Sequence, residues 1–142
     1  MGLHGSKHFV NSPPVPLSKI VLDFNFDMIS RNPKNEIYVV GTHQYPQFKT
    51  LIASVAQEMP LTISYGHDDP NDKTKDYWMK SSDNAPFFEK GIPNITFSEE
   101  DHPDYHQSTD DFEAINPEFY QNVVLFIQKS IVTIDNNFPK TE

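Results

Sequence analysis

Ile20-Val21-Leu22-Asp23-Phe24-Asn25-Phe26-Asp27 is the stretch whose reading decides the fold. In a strand, successive side chains point to opposite faces. Ile20, Leu22, Phe24 and Phe26 then share one face, and Val21, Asp23, Asn25 and Asp27 share the other. This alternation predicts a strand with Asp27 at its carboxyl end.

Working outward, Ser12-Pro13-Pro14-Val15-Pro16 reads as a helix stop and a loop. Before it, Met1–Val10 carries a weak helical pattern through Leu3 and Phe9. After the strand comes a polar turn, Arg31-Asn32-Pro33-Lys34-Asn35, then a second strand over Glu36–Gly41. Pro46–Glu58 places Phe48, Leu51, Ile52 and Val55 at helical spacing. Leu61–Tyr65 reads as a short strand, and residues 66–80 as a long polar surface loop containing the single tryptophan, Trp78. Asn84–Lys90 reads as a short helix closed by Gly91, and Pro93–Ser98 as a further strand. Glu99–Asp111 is an acidic loop. Asn116 then caps a last helix with Pro117 at its first position. It runs to about Asp135 with Phe119, Val123, Val124, Ile127, Ile131 and Ile134 toward the core. Strands alternate with helices, so the fold class is α/β. No repeat or linker divides residues 1–142, which read as a single domain.

The 142 residues carry 20 acidic against 11 basic side chains, a net charge of −9. Phosphate backbones repel such a chain, so no nucleic acid is expected as a partner. Anionic membranes repel it too, and no apolar run nears the roughly 20 residues that cross a bilayer. Residues 1–10 lack the apolar centre of a signal peptide. There are no cysteines, which excludes disulfides, Cys-ligated metals and thiol catalysis.

In open α/β sheets, sites form beyond the carboxyl ends of strands. Asp27 ends one strand; Glu99, Glu100, Asp101, His102, Asp104, His106, Asp110 and Asp111 follow another. If the two strands are neighbours, Asp27 and a loop histidine reach the same ion, and carboxylate with imidazole is ordinary zinc ligation. Against this, a strand-end Asp commonly just caps a turn, and an acidic loop is commonly solvated. His4 and His8 share the helical spacing of a two-His zinc motif, but lack its adjacent Glu. No G-x-S-x-G elbow, phosphate-binding glycine loop or dinucleotide fingerprint is present.

Four segments together resemble one family, the zinc-dependent aminopeptidases of peptidase family M28. Gly2-Leu3-His4-Gly5-Ser6 is similar to its G-L-x-G-S, and Asn25-Phe26-Asp27-Met28-Ile29-Ser30-Arg31 to its N-x-D-M-x-x-R. Ser82-Asp83-Asn84-Ala85-Pro86-Phe87 resembles S-D-H-x-x-F, with Gly91-Ile92-Pro93 after it. Asp104-Tyr105-His106-Gln107-Ser108-Thr109-Asp110 resembles Y-H-x-x-x-D. The resemblance spans essentially the whole chain and matches the carboxyl-terminal half of the family's catalytic domain. It implies part of a mixed sheet with helices on both faces.

The resemblance also implies roles. Asp27 binds one of two zinc ions and His106 the other. Asp83 and Tyr105 line the site, and Asp110 stands behind the ligands. Position 84 is Asn where the family often has His. In the family a Glu-Glu pair, one residue the general base and the other a ligand, directly precedes G-L-x-G-S. A ligand His and a bridging Asp lie further upstream. None of these is in the sequence, so no catalytic residue is assigned, and zinc binding by this chain alone is expected to be weak or absent. The expected whole is a metallo-exopeptidase acting on peptides, exported to the periplasm or beyond, of which this chain alone is inactive. A half-sheet also exposes edges and apolar surface, so self-association into a homo-oligomer is expected. Two competing readings are a glutaminyl-cyclase-like acyltransferase, with one zinc and a Trp-lined pocket, and a non-catalytic interaction module that has lost its metals.

Overall fold

A strand can pair only where its neighbour offers an N–H and a carbonyl at every step, and that rule sets where each strand begins. In the computed structural model, which describes residues 2–138, β1 runs Asp23–Phe26 rather than from Ile20. It lies parallel to β4, Asn94–Ser98, with Asp23 opposite Asn94 and Phe26 opposite Phe97. The residue before β4 is Pro93. Its carbonyl accepts from the Asp23 N–H at 2.8 Å, but proline has no N–H to return, so the ladder stops there. Ile20 instead closes a single 3-10 turn over Leu17–Lys19.

On its other side β4 pairs antiparallel with β2, Glu36–Val40. β2 pairs in parallel with β3, Thr62–Tyr65. The order β1-β4-β2-β3 makes a mixed sheet of four strands. Helix α2, Pro46–Ala56, makes the crossover between β2 and β3.

The strand pleat then separates two faces. Ile37, Val39, Ile95 and Phe97 point one way and meet Phe48, Ile52 and Val55 of α2. Helix α4, Pro117–Asn137, closes this core with Phe119, Val123, Phe126, Ile127 and Ile134. Its start is the expected one: Pro117 is the first residue, and the Asn116 side chain accepts from the Phe119 N–H at 3.1 Å. Val124 is a correction. It is 42% exposed, because the buried seam advances from Val123 to Phe126 and Ile127, leaving position 124 on the outer flank.

The opposite face carries Tyr38 and Val40, covered by Met79, Trp78 and Phe88. Helix α3, Asn84–Glu89, and helix α1, His4–Asn11, complete that layer, with the Phe9 and Phe87 rings 5.6 Å apart. Gly91 ends α3 at φ +75°, a conformation glycine adopts without strain. Met1 lies outside the described residues.

The 66–80 segment is a surface loop in its middle, where residues 73–76 are exposed, but its two ends turn inward. His67, Asp68 and Met79 are buried. The Asp68 carboxylate accepts from the Gly41 and His43 N–H groups at 2.8 and 2.9 Å, satisfying donors beyond the end of β2. His67 stacks on Trp78 with ring centres 3.5 Å apart.

Candidate active site

β1 and β4 are neighbours, so their carboxyl ends open onto the same region, as the sequence required for a shared site. Two bonds lock those ends together. The Asp27 N–H donates to the Phe97 carbonyl at 3.2 Å, and the Glu99 N–H donates to the Met28 carbonyl at 3.0 Å. Met28 adopts φ 54°, so the chain turns sharply just after Asp27 and leaves that carboxylate at the open strand end.

Asp27 is exposed and accepts from Ser82 Oγ at 2.6 Å. Ser82 precedes α3, and its N–H donates to the side chain of Asn84. Asn84 is fully buried and donates to the Trp78 carbonyl, so it acts as a strut for this turn. An open cleft of about 430 Å³ lies over the strand ends, with Asp27, Trp78, Ser82, Glu99 and Tyr105 in its walls.

The structure brings some expected site residues together and separates others. Asp27 and Tyr105 share the cleft. His106 is exposed next to Tyr105, with ring centres 4.1 Å apart, and its backbone is left-handed at φ 59°. Asp83 is not among the residues lining the cleft and accepts from Ser6 Oγ of α1 at 2.6 Å. Asp110 forms an ion pair with Arg31 at 2.8 Å. His4 and His8 are both exposed on α1. Trp78, read from sequence as part of a solvated loop, is instead a wall of the cleft.

Two groups were not singled out by the sequence reading. Glu99, one of several acids in its loop, is only 2% exposed. Burial pushes its carboxyl up to about 7, against the opposing pull of the Arg31, Ser30 and Asn32 N–H groups and the Arg31 charge. Its oxygens accept from the Arg31 N–H, the nearer at 3.1 Å. The other is Arg31 itself, the one arginine of the chain and the last residue of the N-x-D-M-x-x-R segment. Its side chain is 7% exposed. A lone arginine four residues after a candidate ligand was the signal available. At the start of β1, burial and then the Asp83 charge raise Asp23 to about 6.

Chemically, the cleft offers an accessible carboxylate, a nearby phenol and imidazole, and a buried carboxyl. Among the described residues, no three His, Asp or Glu side chains are grouped to hold a metal ion. A zinc centre needs at least three protein donors, so the residues present do not by themselves fit one.

The sequence profile described as "Peptidase family M28" matches residues 1–131. No curated protein matches the sequence at a significant level. Among solved structures, a zinc aminopeptidase from Bacillus subtilis is 24% identical with a TM-score of 0.72, covering 99% of this chain and 34% of its own. The LapA aminopeptidase of Legionella pneumophila is 20% identical with a TM-score of 0.65, covering 94% of this chain and 36% of its own. An aminopeptidase from Aneurinibacillus sp. strain AM-1 is 20% identical with a TM-score of 0.69, covering 92% of this chain and 30% of its own. The chain thus spans about a third of the length of the proteins whose fold it shares.

Proposed function

We propose, from the premise that the chain belongs to peptidase family M28, that it is the carboxyl-terminal part of a zinc-dependent aminopeptidase. In this reading Asp27 and His106 are two of the metal ligands, and Tyr105 lies beside the bound peptide. The other ligands and the general base come from a preceding segment. The observation that carries the reading is the placement of Asp27: an exposed carboxylate at a strand end, in a cleft whose wall includes the neighbour of His106. Carboxylate and imidazole are donors that zinc takes readily. Two of them are too few for a closed site, so the chain by itself is inactive and binds zinc poorly.

The test is direct. The purified chain, given zinc and an aminoacyl chromogenic substrate, is expected to show no hydrolysis above that of an Asp27→Ala control. Hydrolysis abolished by Asp27→Ala would overturn the claim of inactivity. Glu-Glu codons immediately upstream of Gly2-Leu3-His4-Gly5-Ser6 in the coding sequence are the expected result for the larger claim; an unrelated upstream sequence would remove its basis. The same reading makes the β1 edge a pairing surface, normally covered by another strand. Light scattering of the chain alone is expected to report self-association, and a monomer at high concentration would contradict that.

A further inference from the structure

Residues 101–115 form a long excursion between β4 and α4, and its internal bonds are local turns. Tyr105 N–H donates to the His102 carbonyl, Gln107 N–H to that of Asp104, and Asp110 N–H to that of Gln107. Such a loop has little to fix it against the body of the molecule unless something outside holds it. Among the described residues, every hydrogen bond and ion pair joining residues 101–115 to the rest of the protein comes from one side chain, Arg31.

The guanidinium is suited to this. Nη1 pairs with Asp104 at 3.2 Å, Nη2 pairs with Asp110 at 2.8 Å, and Nη2 also donates to the Asp111 carbonyl. Asp104 and Asp110 bracket the tip that carries Tyr105 and His106. The second oxygen of Asp104 accepts from Thr109 Oγ1 at 2.6 Å, closing the tip on itself. On the other side, the Arg31 N–H is held by buried Glu99, and the preceding carbonyl, that of Ser30, accepts from the Asn116 N–H at 2.8 Å. Arg31 is four residues from Asp27, so one short turn is the shared reference for both. Ammonium on a flexible stem cannot reproduce a planar fork that reaches two carboxylates and a carbonyl.

We infer that Arg31 is a positioning residue whose forked grip on Asp104, Asp110 and the Asp111 carbonyl sets Tyr105 and His106 in register with Asp27. The functional meaning of that register rests on the aminopeptidase reading. The grip itself does not, and it is tested without metal or substrate. A failure of the peptidase reading in the assays above therefore leaves this one standing or falling by itself.

The test uses the full chain and its Arg31→Gln and Arg31→Lys variants. Two local readouts are amide hydrogen exchange at Tyr105, Gln107 and Asp110 and the imidazole proton signals of His106; melting temperature is the global one. In Arg31→Gln, exchange at the loop amides is expected to accelerate about tenfold or more while amides of α2 and α4 keep their protection. The His106 signals move toward those of a flexible peptide. Arg31→Lys, with one charge and no fork, falls between wild type and Arg31→Gln. Loop exchange and His106 signals unchanged from wild type would overturn the inference. So would acceleration equal across the loop and the core, because that is loss of stability and not of position. If Arg31→Gln does not fold, the Asp104→Asn/Asp110→Asn double variant removes the grip from the other side. It is expected to loosen the same amides with Arg31 in place, and a loop as protected as wild type would refute the proposal.

Discussion

Replacing Glu99 by Gln is expected to make the protein more stable at alkaline pH and to flatten the dependence of its stability on pH. The carboxyl is raised from 4.5 to about 7 by burial. A carboxyl raised in the folded state takes up a proton on folding, so the folded chain binds more protons than the unfolded one between those two values. Its contribution is then most favourable below the unfolded value and is lost as pH rises through the folded one. At 1.36 kcal/mol per unit, the full loss from Glu99 is about 3 kcal/mol, most of which falls between roughly pH 5 and roughly pH 8. Asp23, raised from 3.8 to about 6, adds a smaller loss in the same window. Glutamine keeps an oxygen to accept from the Arg31 N–H and carries no charge to bury. Urea unfolding of wild type and Glu99→Gln across that window is the assay. The wild-type free energy should decline with pH, and that of Glu99→Gln should decline by about 2–3 kcal/mol less, the two curves separating most above about pH 7. Two parallel curves would mean that Glu99 does not titrate in the folded state as its burial requires.

Three further outcomes follow from the packing. Asn116→Ala removes the side-chain acceptor for the Phe119 N–H and should cost about 1 kcal/mol in urea unfolding at constant m-value. Phe126→Ala empties a fully buried site whose ring meets Phe97 edge-on at 5.6 Å, and should cost about 3–5 kcal/mol. Glu100 pairs with His67 at 3.0 Å, and His67 stacks on the single tryptophan. Glu100→Ala should therefore shift the emission of Trp78 to longer wavelength with little change in unfolding midpoint, whereas a disrupted core would move both together.

Much of the frame was legible because periodicity reports burial over several residues at once. The alternation from Leu22 to Asp27, the helical spacing of Phe48, Ile52 and Val55, and the Asn116-Pro117 start of α4 each survive a local error of one residue. What depends on a single pairing did not show. His67 and Asp68 lie in Gly66-His67-Asp68-Asp69-Pro70, which by composition belongs in water. They are buried because Asp68 meets two backbone donors beyond β2, a partnership between distant positions. The same holds at the site. The motifs singled out Asp27, Asp83, Tyr105 and His106 by type but carried no sign that Asp83 bonds Ser6 of α1, and nothing local distinguished Glu99 from the acids around it.

The two faces of the sheet divide the labour. On the α2 and α4 side, Ile37, Val39, Ile95 and Phe97 are fully buried among apolar neighbours, which is where burial of apolar area stabilises the fold. On the other side, the register sets Asp23 against Asn94 and Asn25 against Thr96. One oxygen of Asp23, the Asn25 amide nitrogen, both polar atoms of Asn94 and the Thr96 hydroxyl are buried with no protein partner. Burying polar atoms gains less than burying apolar ones, so this face of the β1–β4 pair adds less to stability than the apolar face. Burial, and then the Asp83 charge, raise the Asp23 carboxyl to about 6, so the charged form is disfavoured on this face. Leaving stability to one face frees the other to carry polar groups that a packed core would reject, and the cleft with Asp27 in its wall opens at the end of that polar strand pair.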